Sequence, residues 1–341
     1  MGLYRYLLAV AVAASHFGFV LGGFNPGVVA VVSFMLLSGY VMTLLIKEHY
    51  SSLETVDLFY IDRACRLLPQ FLVYSMAALI LLHFTQLGTA HLPWMEYSSC
   101  NPSLIAVNFS LFGNNFLSSL GSCRLLPASW SLGLEAFFYA LFPWLLLYFS
   151  RPKRLAAAAL SVAVFLLGYA GLIDSNLYGY RYLVGTLHIF LAGAAIARPE
   201  LFSRWLPLVV FVGAALLLAI ARFTPDIYTR PLVKEVLVGL IIGIPMLALL
   251  KHFRFSTVDT LLGNLSYGVF LNHILCRWCA EFYFGVTVWT VPHFLASLTV
   301  STALAAVTYF LIERPALRWR RGLRRSANEM TQSAPSLAPA T

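Results

Sequence analysis

The chain has 341 residues, of which 60% are hydrophobic and only 11% are charged. Soluble domains carry about 25% charged residues, so this composition excludes an ordinary soluble domain. A formal net charge of +9 often indicates nucleic-acid binding. Here, however, long apolar stretches recur along nearly the whole chain, which favours one bundle of membrane helices and no nucleic-acid partner.

The apolar stretches are long enough to be transmembrane helices, which need about 20 apolar residues to cross the hydrocarbon core. The sequence therefore predicts an all-α, polytopic bundle of about ten transmembrane helices. The first stretch is interpreted as a helix rather than a signal peptide, because it continues to Leu21 without a small-residue cleavage site. The predicted spans are 4–22, 27–46, 67–86, 131–149, 155–173, 180–197, 205–223, 232–250, 264–282 and 290–312.

Two segments outside these spans have a different composition. Segment 87–128 is polar and contains several Pro, Asn and Gly residues, which predicts an extramembrane loop. Cys100 and Cys123 both lie in it, and a disulfide between them is as plausible as two free thiols, depending on the compartment. Segment 323–341 is rich in Ser, Ala and Pro with basic residues, which predicts a disordered tail after one membrane domain over 1–322.

The distribution of Lys and Arg predicts the orientation of the bundle, because these residues are retained on the cytoplasmic side. With the N-terminus in the cytoplasm, 17 of the 23 basic residues lie on that side, five lie on the other, and Arg277 lies inside a span. An even number of spans then places both termini in the cytoplasm. We expect a multi-pass protein of the plasma (inner) membrane.

Several ionisable residues lie inside the predicted spans, where they cost several kcal/mol unless paired or hydrated. The rise per residue places His16 and Glu135 at about the same depth, in the outer half of the bilayer. This clustering predicts a hydrated cavity. The competing interpretation is that each such residue only bonds a neighbouring helix, which is the commoner role of a membrane histidine. Nearer the middle of the bilayer lie Ser38, His188, Asn272 and His273.

A series of short motifs follows along the chain, beginning with Arg5 and His16 in the first predicted span and ending with Glu313-Arg314-Pro315. Between these ends lie Phe34–Tyr40 (FMLLSGY), Phe59–Pro69 (FYIDRACRLLP), Trp130–Glu135 (WSLGLE), Phe138-Tyr139 and Leu265–His273 (LSYGVFLNH). In this order, the motifs resemble those of the acyltransferase-3 family of membrane O-acyltransferases.

The resemblance implies ten core helices and transfer of an acyl group, usually acetyl, from cytoplasmic acyl-CoA to a hydroxyl of a carbohydrate. It implies that Arg5 and His16 are essential, that Arg63 and Arg66 are important, and that Glu135 matches the family's signature glutamate. The expected donor is acyl-CoA (acetyl-CoA), without a metal. The expected partners are a carbohydrate or lipid-linked glycan acceptor and membrane lipids.

The sequence departs from the family pattern at two places. Ala136 and Phe137 stand where a second Glu and a Gln are common, and Asn272 stands where a Trp often precedes His273. Both departures leave donor and acceptor preference open. Many family members also carry a secreted hydrolase-like domain after the bundle, and the expectation here is that the bundle acts on its acceptor alone.

Roles for the candidate residues follow from spacing and chemistry. Arg63 and Arg66 lie one helical turn apart, a spacing that suits the phosphates of CoA, although retention of positive charge inside accounts for most such arginines. Arg5 lies about 16 Å from His16 along a helix, so we expect it at the donor end. His16 is the predicted general base, because imidazole titrates near neutral pH, and Glu135 is predicted to orient it.

Other mechanisms and functions remain open at this stage. A covalent acyl-enzyme ranks lower, because no serine or cysteine has an obvious activating neighbour. A proton-coupled transporter or flippase of a small molecule or lipid-linked sugar is the alternative function, since membrane carboxylates and histidines fit it equally well. A non-catalytic scaffold is disfavoured by the buried ionisable groups. The predicted acceptor-binding residues are Ser38, Trp130, Tyr139, His188, Asn272 and His273.

Overall fold

Helices make up nearly all the regular structure in a computed structural model, which describes residues 1–85, 87, 92, 94–116, 121–253, 256–319 and 322. Within these ranges, ten helices have 15 residues or more, and β-structure is limited to isolated bridges. The predicted tail 323–341 lies outside the described residues. The long helices are α1 (Gly2–His16), α2 (Pro26–His49), α3 (Val56–Phe84), α4 (Trp130–Leu147), α5 (Arg151–Ala170), α6 (Leu183–Ala197), α7 (Leu206–Arg222), α8 (Val233–Leu250), α9 (Thr257–Phe284) and α10 (Val291–Thr308).

Length and composition make this a membrane bundle. In the described part of the chain, seven helical segments are long and apolar enough to cross a membrane, and they contain α2, α3, α4, α5, α6, α8 and α10. Helix α7 is apolar but shorter. The predicted all-α, multi-pass fold is confirmed, while the number of ten spans and the cytoplasmic termini stay predictions.

The first predicted span is wrong at its C-terminal end. Helix α1 ends at His16 rather than at residue 22. The reason is the glycines that follow, since Gly18, Gly22 and Gly23 adopt positive φ angles of 89°, 58° and 81°. Positive φ is incompatible with a continuing right-handed helix. His16 therefore lies in the last turn of α1, next to a turn, and not one and a half turns inside a longer helix.

Helix α3 begins earlier than its predicted span. The sequence predicts a membrane segment from residue 67, whereas α3 starts at Val56 and continues through Pro69. Hydropathy excluded the first turns because they are charged, yet they remain helical. Arg63 and Arg66 therefore lie on a continuous helix, as their predicted one-turn spacing requires.

Glycines allow the helices around the interior to approach closely. A Cβ atom at Gly39 would overlap the carbonyl of Phe190, and one at Gly193 would overlap the carbonyl of Leu36. Helices α2 and α6 therefore cross with their backbones in contact, which is typical of small residues in membrane helices. This contact fixes the position of Ser38, the residue before Gly39.

The N-terminus of α1 is held against α9. The carboxylate of Asp259 accepts hydrogen bonds from the backbone N–H groups of Gly2 (2.7 Å) and Leu3 (2.8 Å). These groups have no partner within a helix, and their positive end favours a carboxylate. Burial alone raises the pKa of Asp259, but these hydrogen bonds bring it below its ordinary value. The contact fixes the register of α1 along α9.

The loop between α3 and α4 is cross-linked. Cys100 and Cys123 form a disulfide, which resolves the alternative that the sequence left open. Asn108 reinforces it, since its Nδ2 donates to the carbonyl of Cys123 (3.0 Å) and its Oδ1 accepts from Leu125 N–H (2.8 Å). The loop is thus a packed structure, and it places Trp94 at the rim of the bundle, in the lining of a cavity.

Candidate functional site

Two cavities lie next to each other inside the bundle. The first has a volume of about 280 Å³ and is lined by Arg5, Arg63, Arg66 and Glu135; we call it the arginine cavity. It lies towards the end of the bundle that carries the start of α1. Helices α1, α2, α3, α4 and α9 all contribute to its wall.

The second cavity has a volume of about 200 Å³ and is lined by His16, Trp94, Trp130 and Arg181; we call it the histidine cavity. It lies at the opposite end of α1. The two cavities share Val31, Ser131 and Phe270 in their linings, so these side chains form the boundary between them.

The arginines of helix α3 are both held by buried acids. Arg63 donates from Nε to Asp62 (2.9 Å), and Arg66 forms an ion pair with Glu313, whose side chain is fully buried. Arg66 also lies 5.4 Å from the ring centre of Tyr267. The acids balance these two charges, while the side chains still line the cavity. Glu313 belongs to the Glu-Arg-Pro motif, so this ion pair joins two of the motifs.

Arg5 and Glu135 belong to this same cavity. Glu135 Oε1 accepts a hydrogen bond from Ser38 Oγ (2.5 Å) and another from the hydroxyl of Tyr139. Arg5 interacts electrostatically with Tyr139, Glu135 and Arg63. Among the described residues, the Arg5 guanidinium has no hydrogen-bond partner. The arginine cavity therefore contains one cation with its N–H groups available to a ligand, opposite a fixed carboxylate.

His16 is paired with another histidine. Its Nδ1 lies 2.8 Å from Nε2 of His273, and His273 Nδ1 lies 3.0 Å from the carbonyl oxygen of Val269. A carbonyl oxygen only accepts, so His273 Nδ1 must carry the hydrogen. The Nε2 of neutral His273 is then an acceptor, and His16 Nδ1 donates to it. The Nε2 of neutral His16 is therefore left with a free lone pair.

The end of α1 is held by Arg277. This side chain donates from Nη1 to the backbone carbonyl of His16 and from Nε to Glu281 (2.7 Å). A carbonyl in the last helical turn lacks a partner within the helix, and a cation there is favourable. Trp94 lies 5.2 Å from both the His16 ring and the Arg277 guanidinium. Arg277 is thus a structural contact of the site.

The predicted contact between His16 and Glu135 is wrong. Their positions in the sequence predicted a common depth, but among the described residues Glu135 bonds to Ser38 and Tyr139, while His16 bonds to His273. They line different cavities. Depth along a helix defines only one coordinate, and the direction of the side chain around the helix axis decides the partner.

Three predicted acceptor-binding residues lie outside the linings of both cavities: His273, which bonds to His16, and two more. His188 is buried against α5, where its Nδ1 lies 3.1 Å from Ser161 Oγ. Asn272 bonds to Tyr74 Oη (2.9 Å) and to the carbonyl of Ser301 (3.0 Å), which joins α9 to α3 and α10. His188 and Asn272 both have interhelical hydrogen bonds, which favours the packing interpretation, and their predicted acceptor-binding role stays a prediction.

The remaining acceptor candidates are divided between the cavities. Ser38 and Tyr139 line the arginine cavity, where they bond Glu135, whereas Trp130 lines the histidine cavity. Trp130 packs against Tyr180 with 4.9 Å between ring centres and lies under Arg181, whose guanidinium is 4.4 Å from its ring centre.

Arg181, Tyr180 and Trp94 were not predicted from the sequence. Arg181 was counted as an ordinary charge at a helix end. The alternation of tyrosines around it, in Tyr178–Tyr182, is a signal that could have indicated a polar aromatic site. Trp94 gave no such signal, because its position depends on the fold of a loop.

The fold and the paired cavities define an integral membrane protein with one polar chamber at each end of α1. Residues 2–310 match the family model of an acyltransferase domain, acyltransferase-3. The chain belongs to the acyltransferase-3 family of membrane O-acyltransferases. The resemblance seen in the motifs is thereby confirmed. No solved structure matches the chain.

Three relatives show how far the similarity extends. An uncharacterised protein of Aquifex aeolicus is 32% identical over 209 residues, which cover 59% of this chain and 91% of that protein. The peptidoglycan O-acetyltransferase OatA of Listeria monocytogenes is 24% identical, over 91% of this chain and 54% of its own length. The exopolysaccharide production protein ExoZ of Rhizobium meliloti is 25% identical, over 89% of this chain and 94% of its own. This chain thus spans about half the length of OatA.

Proposed function

We propose that this protein transfers an acetyl group from cytoplasmic acetyl-CoA to a hydroxyl of a polysaccharide or lipid-linked glycan, and that it does so in the plasma (inner) membrane. The names of two relatives, a peptidoglycan O-acetyltransferase and an exopolysaccharide production protein, support a glycan acceptor. The observation that carries the proposal is the pair of adjoining cavities, one lined by arginines and one by an imidazole.

In this proposal the arginine cavity receives the donor. Its lining contains Arg5, Arg63 and Arg66, and guanidinium groups bind phosphate through paired N–H donors. Glu135 acts at this end, where it faces Arg5 and is held by Ser38, and not as the partner of the imidazole. The fit of a phosphate-bearing donor to this cavity is supported by Arg5, whose guanidinium has no hydrogen bond within the described ranges.

The histidine cavity receives the acceptor, and His16 is the general base. The Nε2 of His16 takes the proton of the acceptor hydroxyl as its oxygen attacks the carbonyl carbon of the thioester. The C–S bond then breaks, and the same proton passes to the sulfur, so that CoA leaves as a thiol and the glycan carries an ester. His273 has the orienting role that the sequence assigned to Glu135, since it fixes the tautomer of His16.

The proposed sidedness has independent support. The arginine cavity lies at the end of the bundle to which the basic residues assign the cytoplasm. The Cys100–Cys123 disulfide belongs to the loop at the other end, and disulfides persist in oxidising compartments outside the cytoplasm. The acyl group would therefore cross at the boundary formed by Val31, Ser131 and Phe270.

The test is to compare membrane vesicles with and without the protein. Vesicles are supplied on the cytoplasmic face with acetyl-CoA labelled in the acetyl group, and glycans from matched cells are analysed by mass spectrometry. We expect label in alkali-labile glycan esters and a gain of one acetyl unit that depends on the protein. Protein-dependent movement of a glycan across the membrane without CoA consumption would instead favour the flippase function and overturn the proposal.

A further inference from the structure

The histidine cavity contains an unbalanced positive charge. In its lining, as far as the chain is described, Arg181 is the one Arg or Lys, and there is no Asp or Glu. Arg181 also interacts electrostatically with Arg124 and with Asp174, whose charges oppose each other. The nearby Arg277 is paired with Glu281. Of the two arginines near the imidazole, Arg181 is therefore the one whose charge is not balanced by an ion pair.

The Arg181 side chain is held in place without using its outer nitrogens. Its Nε donates to Asn176 Oδ1 (2.9 Å), and its backbone carbonyl accepts from Asn115 Nδ2 (2.9 Å). Its guanidinium lies over the indole of Trp130 at 4.4 Å, a cation–π contact that is stable when desolvated. Within the described ranges, Nη1 and Nη2 have no hydrogen-bond partner. The fork of N–H donors is thus preoriented and available to a ligand.

We propose that Arg181 binds an anionic group of the acceptor, so that the acceptor is a carbohydrate bearing a carboxylate or a phosphate close to the acetylated hydroxyl. This inference rests on the proposed function, which it makes more specific. A half-buried cation without a counter-charge costs free energy unless a ligand balances it, and a guanidinium fork matches the two oxygens of a carboxylate or phosphate. Trp130 and Tyr180 supply flat apolar surfaces for a sugar ring beside that fork.

The competing role for Arg181 is stabilisation of the negative charge that develops on the thioester oxygen. That role predicts a loss of turnover for every acceptor alike. Binding an anionic group predicts instead a rise in KM for anionic acceptors only. The two roles are therefore separated by comparing acceptors of the same ring and different charge.

The probes are the methyl glycosides of glucose, glucuronic acid and glucose 6-phosphate, which present one ring with no anion, a carboxylate or a phosphate. Equilibrium binding and acetyl transfer are measured for each, with the full-length protein in vesicles. The variants are Arg181→Gln and Arg181→Lys. The matched control is Arg222→Gln, because Arg222 stacks in the same way on Tyr228 (5.5 Å), is exposed and lines neither cavity.

We expect the wild-type protein and Arg222→Gln to bind at least one of the anionic glycosides about tenfold or more tightly than the neutral one, as for a charge-assisted hydrogen bond. Arg181→Gln abolishes this preference by weakening binding of the anionic glycosides, so that all three glycosides bind alike, and Arg181→Lys retains part of the preference. The relative affinities for glucuronate and phosphate identify which anion is preferred.

Equal binding of all three glycosides by the wild-type protein would overturn the inference, and so would an Arg181→Gln variant that loses turnover equally on every acceptor. Binding separates this inference from the proposed function. An Arg181-dependent preference without any acetyl transfer would refute the acetyltransferase proposal and leave the anion site standing. Acetyl transfer without any charge preference would refute the anion site and leave the acetyltransferase proposal standing.

Discussion

The arginine cavity and the histidine cavity hold their cations in opposite ways. In the first, Arg63 and Arg66 each have a buried acidic partner, so their charges are balanced when no ligand is bound. In the second, Arg181 rests on the indole of Trp130, and no acid lines the cavity in the described part of the chain. The difference suits the two proposed roles, since a polyanionic donor would have to be released after each reaction, whereas an acceptor would have to be selected.

The comparison also separates two kinds of histidine. His16 lines a cavity with a free Nε2, while His188 is buried with its ring nitrogen bonded to Ser161. We expect His16→Gln to lower acetyl transfer by about 10²- to 10⁴-fold, because a general base contributes on that order. The rate of label transfer from acetyl-CoA to glycan measures it.

His188→Gln is the matched control, because it changes another histidine within the bundle, one that lines neither cavity. We expect it to keep more than about a tenth of the wild-type rate per folded molecule, since general-base catalysis is not removed. Equal losses in the two variants would show that His16 acts through packing and not as a base.

The charge balance of the arginine cavity can be tested by removing one member of an ion pair. Arg66→Gln leaves the carboxylate of Glu313 buried without its cation, which costs about 3–5 kcal/mol. We expect a large fall in thermal stability in detergent and a raised KM for acetyl-CoA. The double variant Arg66→Gln/Glu313→Gln should recover most of the stability and none of the donor affinity.

Arg181→Gln provides the contrast for this experiment. It leaves no buried acid without a partner, because the described lining of the histidine cavity contains none. We expect its free energy of unfolding to change by about 1 kcal/mol or less. If Arg181→Gln destabilises the protein as much as Arg66→Gln does, the charges of the two arginines are not balanced in different ways.

A smaller effect is expected at the crossing of α2 and α6. Gly39→Ala forces a Cβ against the carbonyl of Phe190, a backbone contact that cannot rotate away, so the helices must separate. We expect a loss of about 1–3 kcal/mol of stability and reduced donor affinity, since Ser38 and Phe190 line the arginine cavity. Gly213→Ala is the control, because nothing lies within 4 Å of the added atom. If Gly39→Ala lowers the stability no more than Gly213→Ala does, the close contact between α2 and α6 is contradicted.

The sequence predicted the arginine cavity better than the histidine cavity, for a physical reason. Arg63 and Arg66 come from one helix, where a spacing of three residues already places both on one face. The acidic partner of Arg66, Glu313, lies 247 positions away along the chain, and spacing carries no information on such a contact. The predicted contact between His16 and Glu135 failed for a related reason, since the depth of a residue leaves its direction around the helix undetermined.

The loop between α3 and α4 is where sequence interpretation was weakest. Its polarity correctly predicted that it lies outside the spans, and yet it carries Trp94 to the ring of His16. Trp94 has a φ of 60°, a left-handed conformation that bulky residues rarely adopt. Composition predicts that a segment is a loop outside the membrane spans. The position of one side chain in that loop depends on the tertiary contacts that hold the loop.

The boundary between the cavities gives the prediction with the smallest expected effect. Phe270 lines both cavities, whereas Phe34, whose ring centre is 6.2 Å away, lines only the arginine cavity. Both Phe→Ala variants enlarge the arginine cavity, the proposed donor space, but only Phe270→Ala widens the proposed passage of the acyl group. We therefore expect Phe270→Ala to reduce the preference for acetyl-CoA over butyryl-CoA by about threefold to tenfold, and Phe34→Ala to leave the preference unchanged. Initial rates with the two donors at equal concentration measure this ratio. If Phe34→Ala relaxes chain-length preference as much as Phe270→Ala, acyl length is sensed by the donor space as a whole, and the shared wall is not the point at which the two cavities communicate.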